Sequence, residues 1–223
     1  WEVITRGEVL DTGEAAWTSA QGAECVCTAD ASVFARGTKS AKMAMTATAA
    51  TGTVAYCTDF GATDITDRTQ FHIMVRCSKA TAAGDLQLGV SETSNMGGTP
   101  YWFDVPALEA DRWTIVTKAY AMTGLNAVIS VGLKMVVDLG ACNVYVDDFR
   151  ANTKYTGDKS NLWFMDIFDD KLLMTNYADA IQSWDGSAVA CVALAGSPPR
   201  ARVMRKYKTY LTLGDVYAAG HTP

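Results

Sequence analysis

The segment Phe71-His72-Ile73-Met74-Val75-Arg76-Cys77 alternates in character along its length. Apolar residues occupy its odd positions and mostly polar residues its even positions. Because successive side chains of a β-strand point to opposite sides of the sheet, this alternation gives one apolar and one polar face. The pattern predicts a strand in a sheet that is covered on one side.

Comparable runs recur at short intervals before and after this strand. They are Glu24–Ala29, Lys42–Thr48, Thr53–Thr58, Leu86–Val90, Tyr101–Val105, Trp113–Ala119, Ala127–Met135 and Asn143–Arg150. Turn-forming stretches such as Ala82–Asp85 and Asn95–Pro100 separate them, and no connection has room for the crossover helix that parallel strands need. The sequence therefore predicts an all-β, antiparallel sandwich over residues 1–151.

The composition argues against nucleic acid and membrane partners. The 223 residues include 24 acidic and 19 basic side chains, a net charge of −5, which gives no general attraction to a phosphate backbone. No stretch approaches the ~20 uninterrupted apolar residues of a membrane helix. The six cysteines are scattered singly along strand-like segments, which favours buried free thiols over a disulfide framework.

A polar stretch at residues 152–161 predicts a linker, and the composition changes after it. Residues 162–223 contain a Trp184-Asp185-Gly186 turn, a Pro198-Pro199 pair and roughly four short strand-like segments, about the content of one propeller blade. A repeat unit of this kind generally needs neighbours to cover its apolar face. We therefore expect this small β element either to be incomplete or to be completed by another chain.

Three motifs in the first part of the chain are similar to those of a known group of domains. They are Leu10–Gly13 with Trp17 shortly after, Gly37–Lys42 leading into a strand, and Val144–Phe149 near the end of the sandwich. Together they resemble the jelly-roll carbohydrate-binding modules and other galactose-binding-like domains. The resemblance implies a jelly-roll sandwich with surface glycans among its partners.

Members of this group often hold a structural calcium ion between the first and last strands. The matching residues here are Asp11, Asp147 and Asp148, and backbone carbonyl groups near Gly37–Ser40 could supply the remaining oxygen ligands that calcium requires. The resemblance thus implies Ca²⁺ as a structural cofactor. The alternative is an ordinary group of surface aspartates beside a strand end.

Sugar recognition in such folds relies on aromatic faces that stack on sugar rings, helped by polar groups that bond the hydroxyls. Tyr101 and Trp102 directly follow a Gly-rich loop and are the candidate carbohydrate-binding residues, with Trp17 and Asp104 behind them. The alternation of strand side chains also allows a plainer interpretation. One of Tyr101 and Trp102 would then pack in the core and the other would be an ordinary surface aromatic.

The sequence offers no catalytic constellation. It has two histidines, no metal-binding histidine pair, no Gly-x-Ser-x-Gly elbow and no phosphate-binding glycine loop. Two carboxylates alone would suffice for a glycosidase, but the acidic residues cluster in turn-like stretches, such as Asp64 with Asp67 and Asp169 with Asp170. We predict a protein that is not an enzyme.

The second part of the chain resembles tailed-phage virion proteins between Leu162 and Leu213. The shared features are the stretch Asp170–Asn176, the Trp184-Asp185-Gly186 turn and the segment Ser197–Arg202. This resemblance implies a phage virion structural protein, such as a head decoration, tail or fibre-associated component. Its partners would be other virion proteins or copies of itself.

A basic run in this second part is the candidate partner-docking surface, and a solvated face is the alternative. Its residues are Arg200, Arg202, Arg205, Lys206 and Lys208. The rival interpretation of the whole chain is a secreted carbohydrate-binding module cut from a polysaccharide-degrading enzyme. The predicted location is therefore the virion or, in the rival interpretation, the extracellular space.

Overall fold

The structure is a computed structural model that describes residues 7–58, 60–120, 124–153, 161–187 and 191–216. The chain divides into two compact units, of which the larger is Glu8–Asn152 and the smaller combines Thr153–Pro223 with Trp1–Gly7. The larger unit ends at Asn152, one residue after the end of the sandwich predicted at residue 151. Residues 154–160 of the predicted linker lie outside the described residues, and Asn152, its first residue, is still in a strand.

The larger unit consists of two antiparallel sheets. In the described residues its strands are β1 (Glu8–Asp11), β2 (Thr18–Ser19), β3 (Cys25–Asp30), β4 (Ser40–Met45), β5 (Gly52–Cys57), β6 (Gln70–Cys77), β7 (Leu86–Ser91), β8 (Tyr101–Asp104), β9 (Thr114–Ala119), β10 (Ser130–Met135) and β11 (Cys142–Asn152). One sheet has the order β3-β4-β11-β6-β9, with β1 paired to the end of β11, and the other has the order β2-β5-β10-β7-β8.

The connections give the jelly-roll topology, because the chain changes sheet between β4 and β5, β5 and β6, β6 and β7, and again at each step from β8 to β11. The predicted all-β, antiparallel jelly-roll sandwich is confirmed. Each strand expected from the sequence is present, and the short strands β1 and β2 are additional. Neither has an alternating run long enough to signal a strand by itself.

The space between the two sheets is filled by the inward positions of the strands, as the alternation in β6 predicts. Phe71 lies at the centre of an aromatic cluster, stacked on Tyr120 and Phe103 at ring-centroid distances of 4.3 Å and 5.1 Å. Phe149 meets the Phe71 ring edge-on at 5.8 Å. These contacts join β6, β8 and β11 across the core, so they hold the two sheets together.

Four of the cysteines form part of the same core. Cys25, Cys57, Cys77 and Cys142 are buried and all six cysteines are free thiols, in agreement with the expectation from their spacing. Buried thiols of this kind pack as small hydrophobic groups.

The smaller unit contains a four-stranded sheet and a separate hairpin. The sheet has the order β12 (Phe164–Phe168), β13 (Lys171–Thr175), β14 (Gln182–Trp184) and β15 (Val192–Ala193), and the hairpin pairs β16 (Ala201–Tyr207) with β17 (Tyr210–Val216). The described residues of this unit thus form six strands, where the sequence predicted roughly four. In the described parts of both units, no helix has the length and apolar character needed to cross a membrane.

Candidate functional site

One row of residues crosses the outer face of the five-stranded sheet. Strand pairing places Tyr56 opposite Gly132, Gly132 opposite Gly89 and Gly89 opposite Trp102. The neighbouring residues Leu88 and Leu133 are buried between the sheets, so alternation directs this row to the other side. Two aromatic residues therefore flank two glycines on one surface.

The indole of Trp102 lies over the backbone of Gly89. A Cβ atom at Gly89 would come within 2.6 Å of Trp102 Cε3 and 2.9 Å of Trp102 Cδ2, distances that no real side chain tolerates. Glycine in a strand interior often marks such a close approach. Because the ring rests on the sheet and is only partly buried, its position is fixed by the strand beneath it.

A row of polar side chains runs beside the aromatic row. Lys134, Gln87 and Asp104 are opposite one another on three adjacent strands. Gln87 Nε2 donates a hydrogen bond of 2.8 Å to Asp104 Oδ1, and Lys134 Nζ lies 5.7 Å from the centre of the Trp102 ring. Both hydrogen-bond donors and acceptors are thus held next to an aromatic surface.

A loop reaches over Gly132, in the middle of the aromatic row. Ser91 Oγ donates to the carbonyl of Gly97 and Ser130 Oγ to that of Thr93, each at 2.8 Å, so two strands of the sheet hold the loop. Its Met96 thioether lies over Gly132, where a Cβ atom would come within 2.5 Å of Met96 Cγ. We call the surface formed by Tyr56, Gln87, Gly89, Trp102, Asp104, Lys134 and Met96 the Trp102 face.

The structure brings together two of the four residues predicted to bind carbohydrate, Trp102 and Asp104. Tyr101 points the other way and packs in the core, with its ring 6.3 Å from Phe71 and 6.1 Å from Phe103. Trp17 is 3% exposed and donates its indole N–H to Asp11 at 2.9 Å. Trp17 is therefore buried, and Tyr101 is partly buried against the core.

Sequence reasoning missed Tyr56, Gln87 and Lys134. These residues join the site only through the register of β5, β7 and β10, which depends on pairing between segments far apart in the chain. One signal was available: Gly89 and Gly132 interrupt strand-like runs, and glycine at such a position points to something packed closely on the strand.

The three aspartates predicted to bind calcium have different hydrogen-bond and ion-pair partners. Asp11 accepts hydrogen bonds from Trp17 Nε1 at 2.9 Å and from the Gly13 N–H at 3.2 Å. Asp148 is paired with two cations, Arg36 Nη1 at 2.9 Å and Arg150 Nε. Calcium needs six to eight oxygen ligands, and carboxylates already paired with arginine do not suit it, so the three residues do not fit calcium as a set.

Asp147 differs from the other two because one of its carboxylate oxygens is buried without a hydrogen-bond partner among the described residues. Its Oδ2 accepts hydrogen bonds from the backbone N–H groups of Ala35 and Arg36, at 2.8 Å and 2.9 Å. Its Oδ1 is buried and has no hydrogen-bond partner in the described part of the chain. Burial raises the pKa of this carboxyl group above its usual range. A calcium ion held by Asp147 and backbone carbonyl groups stays a prediction.

No group of three or more His, Cys, Asp or Glu side chains suited to a metal ion occurs in the ranges that the structure describes. This finding concerns side chains alone, and backbone oxygens are not part of it.

The basic residues of the second part do not form a single cationic surface. Alternation along β16 puts Arg202 and Lys206 on one face of the hairpin and Arg205 on the other. Their side chains lie near aromatic rings or a carbonyl: Arg202 near Tyr177, Arg205 near Phe164, Lys206 near Phe168, Lys208 near Tyr207, and Arg200 bonded to the carbonyl of Ala178. A docking role for these residues stays a prediction.

No family model matches the chain, and no curated protein sequence is significantly similar to it. Among solved structures, the CBM22-1 xylan-binding domain from Paenibacillus barcinonensis Xyn10C has a TM-score of 0.42 and 15% identity, over 68% of this chain and 99% of that one. A family 11 carbohydrate-binding module from Clostridium thermocellum, in complex with a β-1,3-1,4-mixed-linked tetrasaccharide, has a TM-score of 0.47 and 12% identity, over 69% and 99%. The family 30 module of the C. thermocellum cellulosomal cellulase Cel9D-Cel44B has a TM-score of 0.45 and 12% identity, over 68% and 99%.

Proposed function

We propose that the larger unit is a glycan-binding module and that the Trp102 face is its binding surface. The observation that carries this proposal is the position of the Trp102 indole, which lies on Gly89 beside the polar row of Lys134, Gln87 and Asp104. Sugars combine apolar ring faces with hydroxyl groups that both donate and accept hydrogen bonds. A fixed aromatic ring next to donors and acceptors matches both properties.

The dimensions of the face suit an oligosaccharide better than a single sugar. Tyr56 and Trp102 are three strand spacings apart, which corresponds to roughly 14 Å at about 4.8 Å per spacing. Of the two glycines between them, Gly89 lies under the Trp102 indole and Gly132 under Met96. A chain of several sugar units lying across the strands would therefore pass over Met96 and contact both aromatic residues.

The binding surface lies entirely within the larger unit, so the proposal requires neither the second unit nor a virion. The two settings expected from the sequence, a module of a polysaccharide-degrading enzyme and a displayed virion domain, share this activity. Nothing in the described structure or in the similar structures supports the virion setting. We therefore take the carbohydrate-binding module as the leading interpretation, with extracellular location as part of the same proposal.

The test is titration calorimetry of the 223-residue chain with a panel of soluble oligosaccharides, including the mixed-linked tetrasaccharide named above. We expect Trp102→Ala to weaken binding of the oligosaccharide ligand by about tenfold or more, because stacking on the indole is lost. The matched control is Trp113→Ala, since the Trp113 ring packs 6.4 Å from Tyr145 on the other sheet. Equal affinities of Trp102→Ala and the unmodified chain, or no binding to any oligosaccharide, would contradict the proposal.

The same incubations test the prediction that the chain is not an enzyme. Glycan binding through stacking and hydrogen bonds needs no catalytic group. We expect the oligosaccharides to be recovered intact, as judged by chromatography after prolonged incubation, and the appearance of shorter products would show that the prediction is wrong.

A further inference from the structure

The second unit contains a pocket of about 320 Å³, separate from the Trp102 face. Its lining includes the aromatic side chains of Trp163 and Tyr177, the amide side chain of Asn161 and the guanidinium of Arg202. All of these belong to the smaller unit. The combination of aromatic surface, an amide and a cation is unlike the surrounding apolar side chains and points to a polar ligand.

Tyr177 lies within a turn that Asn176 and Asp179 close. Asn176 Oδ1 accepts the N–H of Asp179 at 2.8 Å, and Asn176 Nδ2 donates to Asp179 Oδ2 at 2.6 Å. Tyr177 itself has a φ of 68°, a backbone conformation that an L-residue adopts only when its surroundings enforce it. The Thr175 hydroxyl ties this turn to the carbonyl of Ala201, the residue before Arg202.

Arg202 is held on two sides and is half-exposed. Its Nε bonds Asp215 Oδ2 at 2.9 Å, and its guanidinium lies 5.0 Å from the centre of the Tyr177 ring. The Arg202 side chain is 52% exposed and lines the pocket, so a ligand in the pocket can reach its guanidinium. A guanidinium fixed in this way presents two parallel N–H donors, the arrangement that matches a carboxylate.

We propose that this pocket binds a carboxylated sugar, such as a uronic acid unit of an acidic polysaccharide. The carboxylate would lie against Nη1 and Nη2 of Arg202, the sugar ring against Trp163, and a hydroxyl against the Asn161 amide. Lys206, on the same face of β16 as Arg202, adds to the attraction for an anion at longer range. The chain would then have two glycan sites of different charge preference, and the second does not depend on the first.

The experiment is a calorimetric titration of the full chain with trigalacturonate, with its methyl-esterified form and with inorganic phosphate. We expect trigalacturonate to bind, and we expect the affinity for the ester to be lower by at least about tenfold, because the ester lacks the negative charge that pairs with the guanidinium. Phosphate should bind more weakly than trigalacturonate, since it cannot use the aromatic surface. Equal binding of acid and ester, tighter binding of phosphate, or no binding of trigalacturonate would overturn the proposal.

Variants of the full chain locate the site. Arg202→Gln should weaken trigalacturonate binding by about tenfold, and it leaves Asp215 in solvent, where that side chain is already 55% exposed. Arg202→Lys keeps the charge and the aliphatic stem but loses the paired donors, so it should bind weakly with an unchanged melting temperature. Arg205→Gln, on the other face of β16, is the matched control and should bind normally.

Trp102→Ala should also bind trigalacturonate normally, which separates failure of this site from failure of the Trp102 face. An unaffected Arg202→Gln variant, or equal losses in Arg202→Gln and Arg205→Gln, would overturn the assignment.

Discussion

The two units differ in how much of their apolar surface they cover. In the described residues, 33 buried hydrophobic residues form the core of the sandwich, whereas Leu173, Ile181 and Met204 are the three that form the core of the second unit. Conversely, nine of the fifteen exposed large hydrophobic residues in the described ranges lie in the second unit. Since burial of apolar surface is the main source of stability, we expect the sandwich to be the more stable of the two units.

The largest expected effect comes from the centre of the sandwich core. Phe71→Ala removes a ring that contacts Tyr120, Phe103 and Phe149, and it should lower the free energy of unfolding by about 3–5 kcal/mol. Leu173→Ala, in the small core, should cost less, about 2 kcal/mol, because fewer neighbours lose contact. Urea denaturation of both variants measures this. A larger loss in Leu173→Ala than in Phe71→Ala would reverse the comparison between the units.

The next effect tests the packing of Trp102 on the sheet. Gly89→Ala places a methyl group 2.6 Å from Trp102 Cε3 and 2.8 Å from the carbonyl oxygen of Tyr101. It should cost about 1–3 kcal/mol of stability and also displace the indole, so that glycan affinity falls. Gly61→Ala is the matched control, because nothing lies within 4 Å of the added methyl group. Equal stability and glycan affinity in the two variants would show that Trp102 does not depend on Gly89.

A smaller effect is expected in the pH dependence of stability. Burial raises the pKa of Asp147, so the folded chain holds this proton more tightly than the unfolded chain. The residue contributes stability that is present below its unfolded pKa of about 3.9 and is lost as the pH rises through its folded pKa. The stability of Asp147→Asn relative to the unmodified chain should therefore increase as the pH rises above about 4. The exposed Asp138→Asn variant is the control, and parallel curves for Asp147→Asn and the unmodified chain would contradict this expectation.

The same variant tests the calcium prediction. If Asp147 Oδ1 is a calcium ligand, addition of Ca²⁺ raises the melting temperature of the unmodified chain but not that of Asp147→Asn, because a ligand that binds only the folded state stabilises it. Calorimetric melting in Ca²⁺ and in a chelator measures both. Identical melting temperatures of the unmodified chain in the two conditions would show that the calcium prediction is wrong.

The smallest expected effect on stability is at the surface of the second unit. Ile167, Leu172 and Trp184 are aligned across three strands of the four-stranded sheet, and Ile167 is 66% exposed. Ile167→Lys should change the free energy of unfolding by less than about 0.5 kcal/mol. If a neighbouring chain covers this face, the variant should also lose self-association in size-exclusion chromatography with light scattering. A clean monomer of the unmodified chain would show that no second copy covers the face.

Prediction from the sequence worked best where the signal was local. The alternation in Phe71–Cys77 predicted β6 and its buried face, because the period of two is a property of the strand itself. The strands β1 and β2 were missed because they are short and owe their conformation to pairing with β11 and β5. Of the candidate sugar-binding residues, the sequence could say that Tyr101 and Trp102 face opposite ways but not which of them is buried.

Local patterns in the sequence were therefore enough to predict the fold class, every strand of the sandwich except β1 and β2, and the change of composition after residue 151. The tertiary structure alone decided that Trp102 lies on Gly89, that Lys134 and Gln87 stand beside it, and that Arg202 meets Tyr177 next to Trp163. The physical reason is that periodicity and turn chemistry act between neighbours along the chain. A binding surface is instead built by strand register and close packing between residues that are distant in sequence.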